Sequence, residues 1–381
     1  MPASVEPRTS VSDLDFFFEP EHVELAGTLP PVGSAIAALD APADIARSLG
    51  AEHGLYRLLA AEEGVDLRAA CLVRELLGYV SPLADSIFAV HGLGTYPIVL
   101  AGSPAQKAEY LDDCRAGRRI GAFALTEPEA GSDVASMQTV ARADGDGFVL
   151  DGSKTFISNV GIASHFVVFA NAEPERGRDG ISAFLVPADT PGLRAVPFEL
   201  GFEHPIGELH FEACRVPSAS VLGEIGAGFK LAMQTLDAFR VSVGAAAVGM
   251  AGRALDEALA HVRSRSQFGR PLAKQPIVQS YLAEMATELD AARLLVFRAA
   301  YDKDRGKGAV TTEAAMAKLY ATEAAQRVID RAVQLFGGRG VKSGEVVEEL
   351  YRAIRPLRIY EGTSEIQRLI IGRALAKGAG R

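Results

Sequence analysis

A carboxylate near the end of the chain has the surroundings of a general base. Glu361 lies beside Tyr360 and Gly362 in the segment 359–367, and apolar residues lie on either side of it. Burial in such a place would raise the pKa of the carboxyl group toward neutral pH, where a carboxylate removes protons efficiently. This segment alone leaves open a second interpretation, in which Glu361 is an ordinary acidic residue at the start of a helix.

An apolar pattern with a capping residue before it predicts a helix directly after Glu361. Thr363 or Ser364 can accept a hydrogen bond from the first turn, and Glu365 and Gln367 are near enough to meet its free amides. Glu361 is therefore expected on the turn that enters this helix, where a side chain can point out of the packed body.

Two segments in the middle of the chain offer polar and aromatic groups to a heteroaromatic ring. Residues 123–133 follow a predicted strand and carry Thr126 together with free backbone amides. Residues 154–159 lie on a second predicted strand and carry Phe156 and Ser158. Taken alone, the first segment is also typical of a surface turn and the second of an ordinary strand.

Two helix ends could contact a phosphate-containing ligand. Arg265 ends a long predicted helix, and its planar guanidinium matches the oxygens of a diphosphate. A cation at this place is equally typical of a helix end whose dipole it opposes. Residues 334–340 end another predicted helix, and their glycines permit the close approach of a ligand.

Motifs of several other protein classes fail on inspection. Residues 223–228 have the glycine spacing of a P-loop, but Phe229 stands where lysine is required. The glycines at 338 and 340 are followed by Gly344, one residue too late for a dinucleotide fingerprint. The histidines form no HExxH motif and no GxSxG occurs, so we expect neither a metal site nor a serine hydrolase.

Three regions of different texture must position these residues. The pattern is helical over about 21–117, with Pro30, Pro31 and Pro42 punctuating it, and helical again from about 226. The C-terminal helices are predicted at 229–265, 277–305, 312–336 and 345–354. Between the two helical regions, short apolar segments are predicted as strands at 121–125, 137–143, 148–150, 166–170, 181–186, 193–198 and 206–211. We therefore predict domains 1–117, 118–225 and 226–381, the middle one a small β-barrel or sandwich.

Composition and charge limit the class of protein. The formal net charge of −9 argues against a general nucleic-acid binder. Three scattered cysteines without a CxxC motif indicate a reducing compartment. Residues 1–10 lack the basic start and apolar run of a signal peptide, and the Ala- and Gly-rich run 241–252 is too short to cross a bilayer. The run suits close packing between helices, within or between subunits. A cytoplasmic protein is expected.

Taken together, these segments resemble the acyl-CoA dehydrogenase family, in the family's order and over about residues 85–375. The motifs that carry the resemblance are residues 125–133, residues 151–159, Arg265 with 268–269, residues 334–338 and residues 359–367. One such motif would be weak, but five in order are specific. The resemblance implies an α+β multidomain fold with a helical N-terminal domain, a β-domain and a C-terminal four-helix bundle.

The family resemblance implies FAD between the β-domain and the C-terminal helices, and a homotetramer. The residues that would bind FAD are Leu125, Thr126, Phe156, Ser158, Arg265, Phe268, Gln334, Gly338, Thr363 and Glu365. Those that would reach a neighbouring subunit's FAD are Arg265, Phe268, Gln334 and Gly338. Assembly would then be part of cofactor binding.

The resemblance also implies a reaction. The substrate would be an acyl-CoA, contacted by Ser132, Asp237, Arg240 and Gly362. Glu361 would remove the α-proton while the β-hydrogen leaves as hydride to flavin N5, giving the trans-2-enoyl-CoA and passing electrons to an electron-transfer flavoprotein. An acyl-CoA oxidase or another oxygen-using flavoenzyme is the second interpretation, and a non-catalytic binder of acyl-CoA or acyl carrier protein is the third.

The chain departs from the family pattern at a few positions. Phe156 stands where many members have tryptophan, and Gln275-Pro276 stands where the family usually has Phe-Gln, so a backbone amide is missing. The family's other position for the catalytic carboxylate corresponds to Phe239, which cannot accept a proton. Glu361 is thus the only candidate base at the two family positions.

Overall fold

The computed structural model describes residues 11–61, 64–306 and 310–378, and it confirms the predicted order of helices, sheet and helices. The prediction for residues 1–10 lies outside the described residues. The helices are α1 Pro20–Ile36, α2 Pro42–Arg47, α3 Leu67–Val80, α4 Pro82–Ala101, α5 Pro104–Arg115, α6 Gly228–Ser264, α7 Pro276–Asp304, α8 Thr311–Phe336, α9 Val346–Ile354 and α10 Ser364–Ala376. The strands are β1 Gly121–Ala124, β2 Val140–Asp144, β3 Gly147–Ser158, β4 His165–Asn171, β5 Ile181–Pro187, β6 Leu193–Pro197, β7 Ile206–Pro217, β8 Ser266–Gln267 and β9 Arg270–Pro271.

The chain divides into two compact units. The helical unit is drawn from Met1–Ala38, Asp66–Asp85 and Arg240–Arg381, and the sheet unit from Leu39–Val65 and Ser86–Phe239. Helix α6 contributes residues to both units. The domain boundaries predicted from the sequence at 117 and 225 stay a prediction.

A curled, half-barrel mixed sheet forms the centre of the sheet unit. Its strand order is β1-β4-β2-β3-β7-β6, with β5 paired to β4. β1 runs parallel to β4, and a hairpin at the Asp-Gly-Asp-Gly sequence of residues 144–147, which is typical of such turns, joins β2 to β3. Asp144 pairs with Gly147 at its end, so Gly145 and Asp146 form the two-residue turn, with Gly145 at a φ of 60°.

Both faces of strand β4 are buried, which explains why this strand reads as a continuous apolar run. In β4, Val167 and Phe169 belong to one core cluster, while Phe166 and Val168 belong to another. Side chains alternate between the faces of a strand, so each face supplies every second residue to its own core. The first of these clusters also includes Leu111 of α5.

The prolines of the first helix do not interrupt it. Pro30 and Pro31 were expected to separate helices, but both lie inside α1, whereas Pro42 begins α2 as expected. Each internal proline removes a backbone hydrogen bond. The packing of α1 against α3 offsets this loss, since Gly33 lies so close to the Leu76 side chain that a β-carbon there would meet Cδ1 at 2.7 Å.

Helices α3 and α6 meet at their backbones in the helical unit. A β-carbon on Gly78 of α3 would lie 2.3 Å from the carbonyl oxygen of Ala246, and one on Gly249 of α6 would lie 2.0 Å from that of Glu75. The small-residue run 241–252 of α6 thus packs closely within the chain, as its composition predicted. The contact fixes the side chains that α3 and α6 direct toward each other.

One helix among the described residues is long and apolar enough to cross a membrane by length and composition. It is α4, whose best 18-residue window has a mean hydropathy of 1.3 and is 78% buried within the protein. Core helices of water-soluble proteins meet the same criterion. The three cysteines, Cys71, Cys114 and Cys214, are unpaired and buried.

Candidate active site

Glu361 lies on the turn that was predicted for it, in an uncommon backbone conformation. The turn joins a short 3-10 segment, Arg355–Arg358, to α10. Glu361 has a φ of 51° and Gly362 a φ of 86°. A non-glycine residue in the left-handed region costs about 1–2 kcal/mol, so such residues persist where the surrounding contacts hold them.

The carboxyl group of Glu361 lies in a desolvated but charged environment. Its Oε2 atom is enclosed and has no hydrogen-bond partner among the described residues. Burial raises the pKa of Glu361, against the opposing effect of the cations Arg74, Lys318 and Arg240, while Asp85 raises it further. The direction agrees with the sequence prediction, and the four charged residues that face the group were not foreseen from the sequence.

Arg74 is held by a buried ion pair. Its guanidinium donates from Nε and Nη2 to the two carboxylate oxygens of Asp85, both at 2.8 Å, and from Nη1 to the hydroxyl of Ser242 at 2.9 Å. Arg74 and Asp85 are each 1% exposed. The nearby phenol of Tyr360 is also affected by burial, which raises its pKa well above the ordinary value.

The start of the helix after Glu361 agrees with the prediction for Thr363 and differs from the prediction for Gln367. Thr363 caps α10, its hydroxyl accepting from the Ile366 amide at 3.3 Å, while Ser364 donates to Glu323 at 2.7 Å. The expectation that Gln367 meets the first-turn amides is wrong. Its amide nitrogen donates to the carbonyl oxygens of Gly362 at 2.8 Å and of Glu361 at 3.3 Å, because its buried side chain turns back onto the turn.

Lys318 on α8 was missed in the sequence, and it contacts the same turn. Its fully buried ammonium donates to the carbonyl oxygen of Gly362 at 2.8 Å. Burial lowers the pKa of Lys318 to about 8, although the Glu361 carboxylate acts in the opposite direction. The one signal in the sequence was that Lys318 falls, by helix periodicity, on a buried face of α8 that otherwise consists largely of alanines.

The substrate-binding residues predicted on α6 fall on either side of the unit boundary. Asp237 lies in the sheet unit and lines a cleft of about 390 Å³ together with Arg178 and Lys230. Arg240 lies in the helical unit and is 5% exposed. The ring of Phe239 is buried in the sheet unit, edge-on to Tyr96 at a centroid distance of 5.6 Å.

A buried ion pair positions the loop after β1. Lys154 of β3 donates to the carbonyl oxygen of Leu125 at 3.1 Å and to the carboxylate of Glu127 at 2.7 Å. That carboxylate also accepts from the amides of two further residues, Gln138 and Thr139. Burial lowers the pKa of Lys154 to about 8, and Glu127 opposes that shift, so the pair is charged at neutral pH.

The same strand carries an exposed aromatic ring and a hydroxyl. Thr155 donates from its amide to the carbonyl oxygen of Thr126 at 2.9 Å. Phe156 has a φ of 56° and is 61% exposed, at a place where the β3–β7 register shifts. The hydroxyl of Ser158 lies 2.7 Å from Nε2 of His204, a partner that the sequence did not predict. Burial lowers the pKa of His204 to about 4, which keeps its ring neutral.

The residues predicted to reach a neighbour's cofactor are exposed at two helix ends of the helical unit. Arg265 follows α6, its carbonyl oxygen accepting from the Leu272 amide at 2.8 Å, and Phe268 is 95% exposed. Gln334 and Gly338 are exposed at the end of α8. Pro276, the departure noted above, occupies the first position of α7, where a missing amide is tolerated.

The predicted site residues thus fall into two groups. The sheet unit holds Leu125, Thr126, Ser132, Phe156, Ser158 and Asp237, and the helical unit holds Arg240, Arg265, Phe268, Gln334, Gly338, Glu361, Gly362, Thr363 and Glu365. The exposed rings of Phe156 and Phe268 are suited to contact a flat heteroaromatic cofactor. Burial of a large apolar ring under such a cofactor is favourable because it removes apolar surface from water. Among the described residues, no group of three or more His, Cys, Asp or Glu could hold a metal ion.

A helical N-terminal region, a half-barrel sheet, C-terminal helices and a buried carboxylate on a strained turn define a dehydrogenase of acyl thioesters. Sequence models agree: the N-terminal domain of acyl-CoA dehydrogenase matches residues 28–118, the middle domain 122–214 and the C-terminal domain 226–376. The chain belongs to the acyl-CoA dehydrogenase family and is an FAD-dependent oxidoreductase of that class.

Individual relatives support the assignment. The chain is 43% identical over 318 residues to the probable acyl-CoA dehydrogenase FadE25 of Mycobacterium tuberculosis, covering 83% of this chain and 82% of that protein. It is 48% identical over 278 residues to the human mitochondrial short-chain specific acyl-CoA dehydrogenase, covering 72% and 67%. The solved structure of butyryl-CoA dehydrogenase from Megasphaera elsdenii is similar with a TM-score of 0.81 at 34% identity, covering 94% of this chain and 90% of that one.

Proposed function

We propose that this protein oxidises an acyl-CoA to the trans-2-enoyl-CoA and that Glu361 is the base. The observation that carries the proposal is the enclosed Oε2 atom of Glu361, which has no hydrogen-bond partner among the described residues and belongs to a carboxyl group whose pKa is raised by burial. A desolvated carboxylate is a stronger base than an exposed one. The Oε2 atom remains available because the nearby donors, Lys318 and Gln367, donate to the backbone carbonyl oxygens of the turn.

Glu361 would take the α-proton of the thioester at Oε2. That proton is weakly acidic, so donors must stabilise the charge that develops on the thioester oxygen. The backbone N–H of Glu361 is the donor that the family resemblance assigns. FAD, when bound, supplies the acceptor for the hydrogen that leaves the β-carbon. The remaining work of the chain is to align the substrate and exclude water.

The CoA part of the substrate would bind to Ser132, Asp237, Arg240 and Gly362. Asp237 lines the cleft that Arg178 and Lys230 also line, and these two cations suit the phosphates of CoA. Of the relatives described above, the human protein is a short-chain specific enzyme and the Megasphaera elsdenii protein is a butyryl-CoA dehydrogenase. We therefore propose a short straight acyl chain as the first substrate to test.

The cofactor would be FAD, bound by residues of both groups. Leu125, Thr126, Phe156 and Ser158 would contact the isoalloxazine ring, and Thr363 and Glu365 would contact the same cofactor. Arg265, Phe268, Gln334 and Gly338 would contact the FAD of a neighbouring subunit. Their exposure in the single chain supports this assignment, and the family resemblance implies a homotetramer as the assembly.

Electron-transfer flavoprotein is the proposed electron acceptor, and the cytoplasm is the proposed location.

A second function, acyl-CoA oxidase, is favoured by one observation: the Phe156 ring is smaller than the tryptophan common in the family and is 61% exposed. Greater access of oxygen to a reduced flavin would follow. Peroxide formed rapidly at saturating acyl-CoA would select the oxidase, and slow peroxide formation the dehydrogenase.

An anaerobic titration tests the proposed function. Purified holoenzyme is mixed with acyl-CoAs of increasing chain length while flavin absorbance is followed, and Glu361→Gln is treated in parallel. The variant keeps shape but loses basicity, so flavin reduction should slow by about 10²–10⁴-fold with FAD still bound. Near wild-type reduction in the variant would show that another group is the base. A well-folded protein that takes up no FAD, or whose flavin no acyl-CoA reduces, would instead indicate a non-catalytic binder.

A further inference from the structure

Lys318 is a fully buried cation to which the proposed chemistry gives no task. It lies on α8 and donates from Nζ to the carbonyl oxygen of Gly362 at 2.8 Å. Gln367 donates to the same oxygen from the opposite element, α10, also at 2.8 Å. One carbonyl group on the turn of Glu361 therefore accepts two buried donors, one charged and one neutral.

The turn needs such support. Glu361 has a φ of 51°, which a side chain with a β-carbon disfavours, and the turn is short. Strained residues of this kind persist only when neighbouring groups determine their conformation. The Gly362 carbonyl group belongs to the peptide between Gly362 and Thr363, the second peptide after the Glu361 α-carbon. The two donors to this carbonyl group limit rotation within the turn and with it the direction of the Glu361 side chain.

We infer that Lys318 is a positioning residue for the base: its ammonium group holds the Gly362 carbonyl, and its positive charge favours the carboxylate form of Glu361. The inference rests on the proposed role of Glu361. Lys318 itself touches neither the reacting carbon nor the transferred proton.

The charge of Lys318 is one of several charges that act on the pKa of Glu361. The titratable and charged groups that face Glu361 and Lys318 are Arg74 of α3, Asp85 of α4, Arg240 of α6, Glu323 of α8, Tyr360 of the turn and Glu365 of α10. Lys318 both lowers the pKa of Glu361 and donates to the Gly362 carbonyl oxygen of the turn. Removing Lys318 therefore changes geometry and charge, and Gln367 offers the control that changes geometry only.

Stopped-flow measurement separates the two effects. Anaerobic flavin reduction by saturating butyryl-CoA is followed as a function of pH, over roughly pH 5.5 to 9, in wild type, Lys318→Met and Gln367→Met holoenzymes. Without the cation the Glu361 carboxyl group holds its proton to higher pH, so the acidic limb in Lys318→Met should move upward by about 1 pH unit. In Gln367→Met the limb should stay in place while the plateau rate falls.

The outcomes distinguish this inference from the proposed function. An unmoved acidic limb in Lys318→Met, or an equal shift in both variants, overturns the role of Lys318. Lys318→Gln, which keeps a donor without the charge, replaces the methionine variant if that one does not fold, and it should show the same upward shift. Glu361→Gln is measured alongside. If flavin reduction in this variant is as fast as in wild type, the proposed base is wrong. If flavin reduction in Glu361→Gln is slow but the acidic limb of Lys318→Met does not move, only the positioning role of Lys318 is rejected.

Discussion

Arg74 and Asp85 form a two-pronged ion pair, with both N–O distances at 2.8 Å and both side chains 1% exposed. The pair belongs to the helical unit and lies within electrostatic reach of Glu361. Because Asp85 balances much of the guanidinium charge, the net effect of Arg74 on the base depends on the pair remaining intact. The proposed base thus has a buried ion pair among the charged groups that act on it.

Breaking this pair should destabilise the protein strongly. Arg74→Met leaves Asp85 buried without its cation, and the loss of one partner of a buried pair costs about 3–5 kcal/mol. Urea unfolding followed by circular dichroism measures the loss. Arg352→Met on α9 is the matched control, since its pair with Glu348 is partly exposed and spaced i,i+4, and should cost less than about 0.5 kcal/mol. Equal losses in the two variants would contradict the prediction.

The ion pair under the β1 loop should control cofactor retention. Lys154→Met removes the donor to the Leu125 carbonyl and leaves Glu127 without its cation, so the variant should lose FAD during gel filtration and unfold at a lower urea concentration. The ratio of flavin to protein absorbance reports retention. Arg142→Met, which breaks an exposed pair with Asp151 in the same sheet, should retain FAD like wild type. If both variants keep a full FAD complement, the loop does not depend on the buried pair.

The raised pKa of Glu361 should be visible in stability as well as in rate. Because burial raises its pKa in the folded protein, the protonated group favours the folded state below the unfolded pKa of about 4.3. That contribution is lost as pH rises through the folded pKa. Glu361→Gln removes the titration, so the variant should be more stable than wild type at pH 7 and equal to it near pH 4. Thermal unfolding of the apoproteins at both pH values tests this, and a constant difference would count against it.

Arg265→Ala should weaken FAD binding through the assembly. The guanidinium is exposed at the end of α6 and is proposed to pair with the diphosphate of a neighbour, where a charge-assisted hydrogen bond contributes about 1.5–3 kcal/mol. FAD affinity by equilibrium dialysis should therefore fall by roughly 10–100-fold. Arg263→Ala, an exposed arginine at the same helix end, should have little effect. A monomer in sedimentation velocity that binds FAD tightly would contradict the shared site.

Local features were predictable from the sequence, and long-range contacts were not. The hairpin at Gly145, the cap at Thr363 and the turn of Glu361 each depend on residues a few positions apart, whose preferences act locally. Lys318 lies 44 residues from Gly362 in sequence, and His204 lies 46 residues from Ser158. No periodicity encodes such pairs, because tertiary packing decides them.

Two errors have the same physical origin. Helix α1 passes through Pro30 and Pro31 because packing on α3 outweighs local propensity. Gln367 contacts carbonyl groups of the preceding turn rather than helix amides because its side chain is buried. In both cases burial of a side chain or a helix face overrides the conformational preference of the individual residue.

The close approach of α3 and α6 at Gly78 and at Gly249 sets a limit on redesign of this enzyme. Even alanine at either position would drive α3 and α6 apart, since its β-carbon would meet a backbone carbonyl oxygen at 2.0–2.3 Å. Arg74 lies on α3 and its hydroxyl partner Ser242 on α6, so such a change would also alter the charges around the base. Libraries that aim at a new acyl specificity should hold these two glycines fixed and vary residues elsewhere.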